Sequence, residues 1–380
     1  MQRFRLFIVS LSHFCVDSYS SLVPPVLPLL KTQLGLNLTQ TGFLGTIVSI
    51  CNISQPLMGM WADRMKKRYL VIGGLLLSAI FAPLLGIISN YWLLVITLAF
   101  VGIGVAAFHP QVFSLAGELS EPRRSFGLAW FIFGGTIAIG LTPIWVPLFA
   151  ETIGLSLLPL VSIPGLLCVL LLQKFVPLNN TYASGNRNQS NWKLLRKHTF
   201  PLSIITSVVV FRTVTGLGFG TFITLLCEER GLNLISGGIA LGIYNTAGVI
   251  GALIAGYLSE RIETKKLVYL SLFLTTPFLY CFVSTESVTL GYIFLTIGGG
   301  LLISSNSILV ALAQELAPEN SALASSLPLG FSWGLASLSL PIIGRLADLY
   351  GVSTTLSYLS LLPLLTGILA LLLPNNPEKG

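Results

Sequence analysis

The chain has 380 residues, of which 53% are hydrophobic and only 9% are charged. A soluble domain carries about 25% charged residues because its surface faces water, so this composition excludes a water-soluble globule. Backbone groups in lipid must hydrogen-bond within the chain, and long apolar runs without strand-like alternation favour helices over a barrel. The sequence therefore predicts an all-α membrane protein.

Charged or turn-rich gaps divide the chain into twelve predicted transmembrane helices of roughly the 20 residues that a bilayer requires. The predicted spans of the first half are 5–30, 40–60, 69–89, 92–115, 125–148 and 156–175. Those of the second half are 199–226, 237–258, 267–284, 289–312, 322–343 and 353–373. The polar segment between them predicts an N-terminal half at 1–176, a cytoplasmic linker at 177–198 and a C-terminal half at 199–380.

The first span carries His13 and Asp17 within LSHFCVDSYSSLVPPVLPLL at 11–30. Its apolar run continues without a small-residue cleavage site, so we interpret it as a retained span rather than a signal peptide. An ionisable group at bilayer depth costs about 3 kcal/mol or more and therefore indicates a function. The i,i+4 spacing places both side chains on one helix face, where they can share a proton.

The loop after the second span reads GMWADRMKKR, from Gly59 to Arg68. It resembles the G-x-x-x-D-R-x-x-x-[RK] loop of the major facilitator superfamily, and Gly256-x-x-x-Glu260-Arg261 is a degenerate copy in the second half. The resemblance extends over the whole chain and implies a major facilitator fold of two parallel six-helix repeats with a cytoplasmic gate. The alternative is that these arginines are only the positive charges expected on the cytoplasmic side.

The predicted gate includes the two glutamates that end the fourth and tenth spans, which we expect to bind loop arginines such as Arg123 or Arg124. The predicted gate residues are Gly59, Asp63, Arg64, Arg68, Glu118, Glu260, Arg261 and Glu315. A further similar sequence, Gly344-Arg-Leu-Ala-Asp348, is predicted to lie on the opposite side after the eleventh span. We therefore do not assign it to the gate.

Three stretches of the first half resemble the fosmidomycin-resistance branch of the superfamily, whose members export drugs or small molecules. They are HFCVDSYSSLVPPVLPLL (13–30), VGIGVAAFHPQ (101–111) and FGGTIAIGLTP (133–143). Ala138 and Thr142 stand where that branch often has glycines. The resemblance implies export of a small organic compound.

The two halves repeat at a nearly constant offset: GLNL at 35–38 recurs at 231–234, and Gly102-Ile103-Gly104 recurs as Gly298-Gly299-Gly300. The repeat places Arg212 of the seventh span beside Asp17. The superfamily fold lines its cavity with the first, fourth, seventh and tenth spans, so the resemblance implies that Asp17 and Arg212 face each other. A parallel repeat also places the substrate site between the halves near the membrane midplane.

Four ionisable residues at bilayer depth are the predicted proton-coupling or substrate residues: His13, Asp17, His109 and Arg212. The alternative is that Asp17 and Arg212 form a static pair, that both histidines are merely hydrogen-bonded between helices, and that His109-Pro110 shapes a kink. Candidate cavity-lining residues, each of which also suits a packing role, are Tyr19, Asn52, Trp130, Tyr244, Asn245, Asn306 and Trp333. Such a cavity suits an amphipathic or modestly charged organic solute, and Arg212 allows an anionic group.

Most of the 21 lysines and arginines fall on one side when the N-terminus is placed inside. This distribution predicts both termini cytoplasmic, and we expect a multi-pass protein of the plasma membrane (the cell inner membrane). It also explains the net charge of +7 without a nucleic-acid partner. No Walker loop, hydrolase motif or metal-ligand spacing is present, so the sequence predicts no enzyme activity, no cofactor and no metal.

The sequence thus predicts a lipid-embedded, monomeric secondary transporter that exports a small organic solute by proton-coupled alternating access. One alternative is an importer of a small metabolite, a symporter or uniporter with the same fold. The other is a membrane sensor or assembly protein that keeps the fold and transports nothing.

Overall fold

The computed structural model describes residues 1–65, 67–177, 179, 198–317, 324 and 327–374, except for the side chains of Pro56, Asp63, Arg64, Arg124 and Ser125. Most of the predicted linker therefore lies outside the described residues. The described chain is built of helices and the turns between them. It separates into two compact units, Met1–Leu36 with Leu44–Asn186, and Asn37–Phe43 with Arg187–Gly380.

The helices up to residue 175 follow the first six predicted spans in order. They are α1 (Arg3–Ser20), α2 (Val23–Leu34), α3 (Leu38–Ile50), α4 (Gln55–Arg64), α5 (Tyr69–Phe81), α6 (Tyr91–Leu119), α7 (Arg124–Phe149) and α8 (Ser162–Phe175). The remaining helices are α9 (Thr199–Glu229), α10 (Leu234–Leu258), α11 (Thr264–Ser284), α12 (Val288–Leu316), α13 (Ser332–Ser337), α14 (Leu340–Tyr350), α15 (Val352–Leu359) and α16 (Leu362–Ala370).

Ten described stretches are long and apolar enough to cross a membrane. One of them, Phe126–Phe175, contains the predicted fifth and sixth spans together. The predicted second span consists of α3, a short 3-10 turn and α4. These two features account for the difference from the twelve predicted spans.

Prolines interrupt the first predicted span. The helix breaks at Ser21 and Leu22, and Pro24 and Pro25 then occupy the first turn of α2. Proline is tolerated there because the first N–H groups of a helix have no intrahelical partner. The eleventh span ends later than predicted, at Tyr350, so Asp348 lies in the last turn of α14 rather than in a loop after the span.

The GLNL repeat forms the same turn twice. Gly35 and Gly231 both adopt positive φ, 61° and 73°, the left-handed conformation that favours glycine at a helix end. Two residues further on, the Asn37 side chain accepts a hydrogen bond from the N–H of Gln40, and that of Asn233 accepts one from the N–H of Ser236, each at 2.8 Å. The repeated sequence thus encodes a helix stop followed by a helix start.

Helix packing repeats as well. In the first unit α6 packs against α4 and α5, and α1 packs against α7. In the second unit α12 packs against α10 and α11, and α9 packs against α13. Glycines permit the close crossings: a Cβ on Gly104 of α6 would lie 2.7 Å from the Gly74 carbonyl oxygen of α5.

Candidate functional site

Asp17 lies between two histidines in the first unit. Its Oδ2 is 3.2 Å from His13 Nε2 on the same helix, and its Oδ1 is 3.3 Å from His109 Nε2 on α6. His13 and Asp17 are buried. The predicted i,i+4 pair is therefore extended by a third residue from the fourth span.

Aromatic rings and a glycine enclose this triad of His13, Asp17 and His109. The His13 ring stacks on Phe131 of α7, with ring centroids 4.3 Å apart and an interplanar angle of 15°. Phe113 of α6 meets His13 edge-on at 5.9 Å. A Cβ at Gly135 of α7 would collide with both the Asp17 carboxylate and the His13 ring. Glycine at this position thus lets α7 close over the triad.

The hydrogen bonds of the two histidines indicate where protons lie in the triad. His13 Nδ1 lies 3.0 Å from the Phe131 carbonyl oxygen, and His109 Nδ1 lies 2.8 Å from that of Val105. A carbonyl oxygen only accepts, so both Nδ1 atoms carry a proton. Each Nε2···O contact with Asp17 then needs a proton of its own, because an imidazole lone pair and a carboxylate oxygen repel. Where no cation bridges these atoms, the two Nε2···O contacts therefore need one proton each.

The same three residues offer donor atoms within 4.8 Å of one another, close enough for one metal ion. The sequence predicted no metal site, because these residues are not spaced as a recognisable ligand motif. Nitrogen and oxygen donors of this kind suit first-row transition metals.

Arg212 is the buried ionisable residue of the second unit. It lies in α9 and is 2% exposed. Its Nη2 donates to Asn306 Oδ1 on α12 and to Thr213 Oγ1, both at 3.1 Å. The repeat places His109 opposite the polar stretch 304–307, which includes Asn306, so each unit joins its first and fourth spans through a polar contact. The predicted pairing of Asp17 with Arg212 remains a prediction.

Among the residues of the predicted gate whose side chains the structure describes, Arg68 and Glu118 form an ion pair. Arg68, in the loop after α4, is 1% exposed and pairs with Glu118 near the end of α6. Arg68 Nη1 also donates to the Asn179 carbonyl at 3.3 Å. Glu118 was expected to bind a loop arginine such as Arg123 or Arg124, and Arg68 is a loop arginine that the structure describes beside it. The side chains of Asp63 and Arg64 lie outside the described part of the chain.

The equivalent residues of the second half are exposed. Glu260 and Arg261 follow α10, and the Arg261 guanidinium lies over the Tyr257 ring at 5.1 Å. Glu315, in the last turn of α12, makes no ion pair with any residue that the structure describes. Gly59 of the first half has only ordinary contact with its surroundings, since a Cβ there would lie 3.6 Å from Pro110.

A sequence profile of the Major Facilitator Superfamily matches residues 9–327. The chain belongs to this superfamily. It is 25% identical to the uncharacterized MFS-type transporter YfnC of Bacillus subtilis (strain 168), with 98% of this chain and 93% of that protein covered. It is 23% identical to the fosmidomycin resistance protein of Escherichia coli (strain K12), with the same coverage.

Solved structures show the same major facilitator fold. A bacterial homolog of the human lysosomal transporter Spinster has a TM-score of 0.84 at 14% identity, over 98% of this chain and 96% of that one. The D-xylose-proton symporter has a TM-score of 0.80 at 15% identity over all of both chains. These matches confirm the predicted all-α fold class and the resemblance to the superfamily and its fosmidomycin-resistance branch. The chain is an integral membrane transporter and not an enzyme.

Two candidate cavity residues of this superfamily member are engaged in packing. The Tyr19 hydroxyl donates to the Val161 carbonyl at 2.8 Å and accepts from the Gly165 N–H at 2.9 Å, which fastens α1 to the sixth span. Asn52 accepts from Gln55 Nε2 at 2.9 Å. Their polar groups are therefore used within the first unit.

The other candidates differ in exposure. Trp130 and Trp333 are 48% and 36% exposed, and Asn245 is half-buried. Tyr244 is buried, and its hydroxyl lies 3.4 Å from the Gly216 carbonyl oxygen. Only Asn306 contacts another predicted site residue through a described hydrogen bond.

Sequence reasoning missed Gln111 and Asp348. Gln111 Oε1 accepts from the N–H of Leu70 at 3.0 Å and of Val71 at 3.3 Å, which caps the beginning of α5. The sequence feature that could have identified Gln111 is an amide side chain in a predicted membrane span, two residues after His109. The structure shows that this side chain is buried. The glycine–aspartate spacing at Gly344 and Asp348 was noticed in the sequence, but the predicted topology placed it on the side opposite the gate.

Proposed function

We propose that the chain exports a small organic solute in exchange for protons. The observation that supports this proposal is the geometry of the triad: two histidines, each bonded to a backbone carbonyl through Nδ1, present Nε2 to the same carboxylate. Loss of a proton places a lone pair against a carboxylate oxygen, so that contact must open. Because His13 and Asp17 are on α1, His109 on α6 and the covering Phe131 on α7, proton loss changes how three helices pack.

Such a triad can couple proton binding to a change of state. A ligand shifts a conformational equilibrium only if it binds the two states differently, and protons bind this closed triad differently from an opened one. The residues of α7 that face His13 and Asp17 are Phe131 and Gly135, and neither has an ionisable side chain.

The relatives favour export over import. One is named for resistance to fosmidomycin, and others, 26% identical over 80% of this chain, are multidrug resistance proteins MdtG of Escherichia coli. Import remains the alternative, since the D-xylose-proton symporter has the same fold at 15% identity. A sequence identity of 15% supports a common fold but not a common direction of transport.

The test uses the full-length protein in right-side-out vesicles that are preloaded with a compound selected by a thermal-shift screen of antibiotics and metabolites. Acidifying the outside should drive the compound out if the protein is an antiporter. Accumulation under the same gradient would indicate a symporter, and no movement of any stabilising compound would favour the sensor alternative. The measurement is repeated with a chelator present, because the triad's donor atoms also suit a metal ion.

Asp17→Asn separates coupling from transport. We expect this variant to lose gradient-driven efflux but to retain exchange of labelled for unlabelled solute, which needs no net proton movement. Glu151→Gln is the matched control, since Glu151 is an exposed acid between the fifth and sixth spans. Gradient-driven efflux that survives in Asp17→Asn would contradict the proposal.

The cytoplasmic placement of both termini is also a proposal, supported by the lysine and arginine distribution. A fluorescent protein fused to the C-terminus should fluoresce, because it folds in the cytoplasm. Light scattering of the detergent-solubilised protein should give the mass of a monomer.

A further inference from the structure

The donor atoms of the triad are spaced as the ligands of one metal ion. Asp17 Oδ2 lies 3.2 Å from His13 Nε2, and Asp17 Oδ1 lies 3.3 Å from His109 Nε2. Ligands that surround an ion tetrahedrally at about 2.0–2.1 Å lie roughly 3.3 Å from one another. Among the residues that the structure describes, this is the one group of three histidine, cysteine or acidic side chains that converges in this way.

Both imidazole rings are also held as metal-binding histidines are. His13 Nδ1 donates to the Phe131 carbonyl of α7 at 3.0 Å, and His109 Nδ1 donates to the Val105 carbonyl of α6 at 2.8 Å. A histidine that binds a metal usually donates its other ring N–H to a carbonyl or carboxylate, which fixes the tautomer and the orientation of the ring. The backbone therefore leaves Nε2 of each ring as the atom that can bind an ion, independently of the spacing.

The donor set and its surroundings select the kind of ion. Two imidazole nitrogens and a carboxylate oxygen suit a divalent first-row transition metal, whereas Mg²⁺ and Ca²⁺ prefer oxygen ligands. His13 and Asp17 are buried, but 18% of the His109 side chain is exposed. An ion can therefore reach the triad past His109, and a fourth ligand such as water can bind from that side.

We propose that His13 Nε2, His109 Nε2 and one carboxylate oxygen of Asp17 bind a single divalent first-row transition-metal ion such as Zn²⁺. The ion carries the same charge as the two protons that the Nε2···O contacts otherwise need, and it occupies the same place. Metal and protons therefore exclude each other at the triad. A bound ion fastens α1 to α6 and stops transport that is coupled to protons there. That consequence rests on the proposed function, whereas the binding itself does not.

The test measures metal binding to the full-length protein, purified in detergent without a polyhistidine tag and treated with EDTA. Equilibrium dialysis should give one Zn²⁺ per chain. Zn²⁺ or Co²⁺, but not Mg²⁺, should raise the unfolding temperature. Bound Co²⁺ should show the visible absorption of a site with four or five ligands, without the near-ultraviolet band of a thiolate ligand. A wild-type protein that binds no Zn²⁺, or whose Co²⁺ spectrum contains that thiolate band, would overturn the proposal.

Substitutions assign the ion to the triad. His109→Asn and Asp17→Asn should each weaken Zn²⁺ binding by roughly a hundredfold or more, because loss of even an outer partner of a ligand costs about tenfold to a hundredfold. If one of them fails to fold, the other variant and the wild-type Co²⁺ spectrum still decide.

Two control variants test the other soft or nitrogen donors. His198→Gln removes the remaining histidine of the chain, and Cys168→Ala removes one of two thiols whose sulfur atoms lie 3.7 Å apart between α1 and α8. Both should bind Zn²⁺ like the wild type. Binding that persists in His109→Asn and Asp17→Asn, or that either control abolishes, would place the ion elsewhere and overturn the proposal.

The metal site and the proposed function can fail separately. Gradient-driven efflux from EDTA-treated vesicles tests proton coupling without metal, and dialysis tests binding without transport. If both proposals hold, Zn²⁺ on both sides of the membrane should stop efflux and EDTA should restore it. Efflux that continues while the triad holds Zn²⁺ would contradict coupling through the triad but not the metal site. Absent binding together with intact efflux would do the reverse.

Discussion

The carboxylate of Asp348 holds the beginning of α3 through Thr39. It accepts hydrogen bonds from the N–H of Thr39 at 3.0 Å and of the preceding Leu38 at 2.7 Å, and from the Thr39 hydroxyl. The first N–H groups of a helix lack intrahelical partners and carry partial positive charge, so a carboxylate there is stabilising. All these residues belong to the second compact unit.

Asp348→Asn should lower the free energy of unfolding by about 1–2 kcal/mol, because an amide keeps the shape but loses the charge at the helix start. Thr39→Val removes only the hydroxyl contact and should have a smaller effect. Thermal unfolding in detergent provides the comparison. An Asp348→Asn variant as stable as the wild type would show that the charge contributes nothing.

Gly135→Ala should disrupt the triad. The added methyl group collides with the Asp17 carboxylate and the His13 ring, and overpacking of this kind costs about 1–3 kcal/mol. We expect lower stability together with a loss of gradient-driven efflux. The two quantities are measured on the same preparation in detergent and in vesicles.

Gly73→Ala is the matched control for this substitution. Gly73 lies inside α5, and a Cβ there would meet nothing within 4 Å. Alanine is the better helix former by up to about 1 kcal/mol, so the control should be as stable as the wild type or more stable. If Gly135→Ala behaves like Gly73→Ala, α7 does not close over the triad as described.

Arg68 and Glu118 should be energetically coupled. A double-mutant cycle with Arg68→Met and Glu118→Leu is expected to give a coupling free energy of about 1–3 kcal/mol, because Arg68 is buried and its guanidinium meets the carboxylate directly. Chemical or thermal unfolding of the four proteins gives the cycle. Glu315→Gln, at the end of the tenth span, should change stability by less than about 0.5 kcal/mol, as expected for an exposed residue. Additive single effects at Arg68 and Glu118 would contradict the coupling.

His109→Asn should reduce the number of protons exchanged per solute molecule. Asparagine can still donate a hydrogen bond but cannot bind a proton, so one of the two proton positions of the triad is lost. The ratio is obtained from the solute gradient that just balances an imposed pH gradient, in wild type and variant. A ratio that does not change would exclude His109 from the coupled reaction.

The sequence was sufficient to predict a helical membrane protein, because backbone groups in lipid must be hydrogen-bonded within the chain. Apolar runs must become helices, and the glycine and asparagine of GLNL dictate a helix stop and start wherever they occur. The pairing of His13 with Asp17 could also be predicted, because residues four positions apart lie on the same face of a helix. These inferences depend on local geometry alone.

Contacts between distant residues could not be predicted in this way. The contact of His109 with Asp17 and that of Arg68 with Glu118 depend on how each helix is rotated against its neighbour, which hydropathy does not specify. The hydrogen bonds of the Tyr19 hydroxyl with Val161 and Gly165 likewise join residues more than 140 positions apart. Asp348 was set aside because its predicted position is on the side opposite the gate, and its contact with Leu38 and Thr39 joins residues 310 and 309 positions apart.

The bond between Asp348 and the beginning of α3 also bears on the order in which the protein is made. The turn at 35–38 closes by bonds between neighbours, so it can form as soon as it leaves the ribosome. Two N–H groups of α3, however, find their acceptor 310 and 309 residues later in the chain. Until that residue is synthesised they must rely on water or lipid headgroups, so the second span reaches its final state only when the eleventh has been inserted.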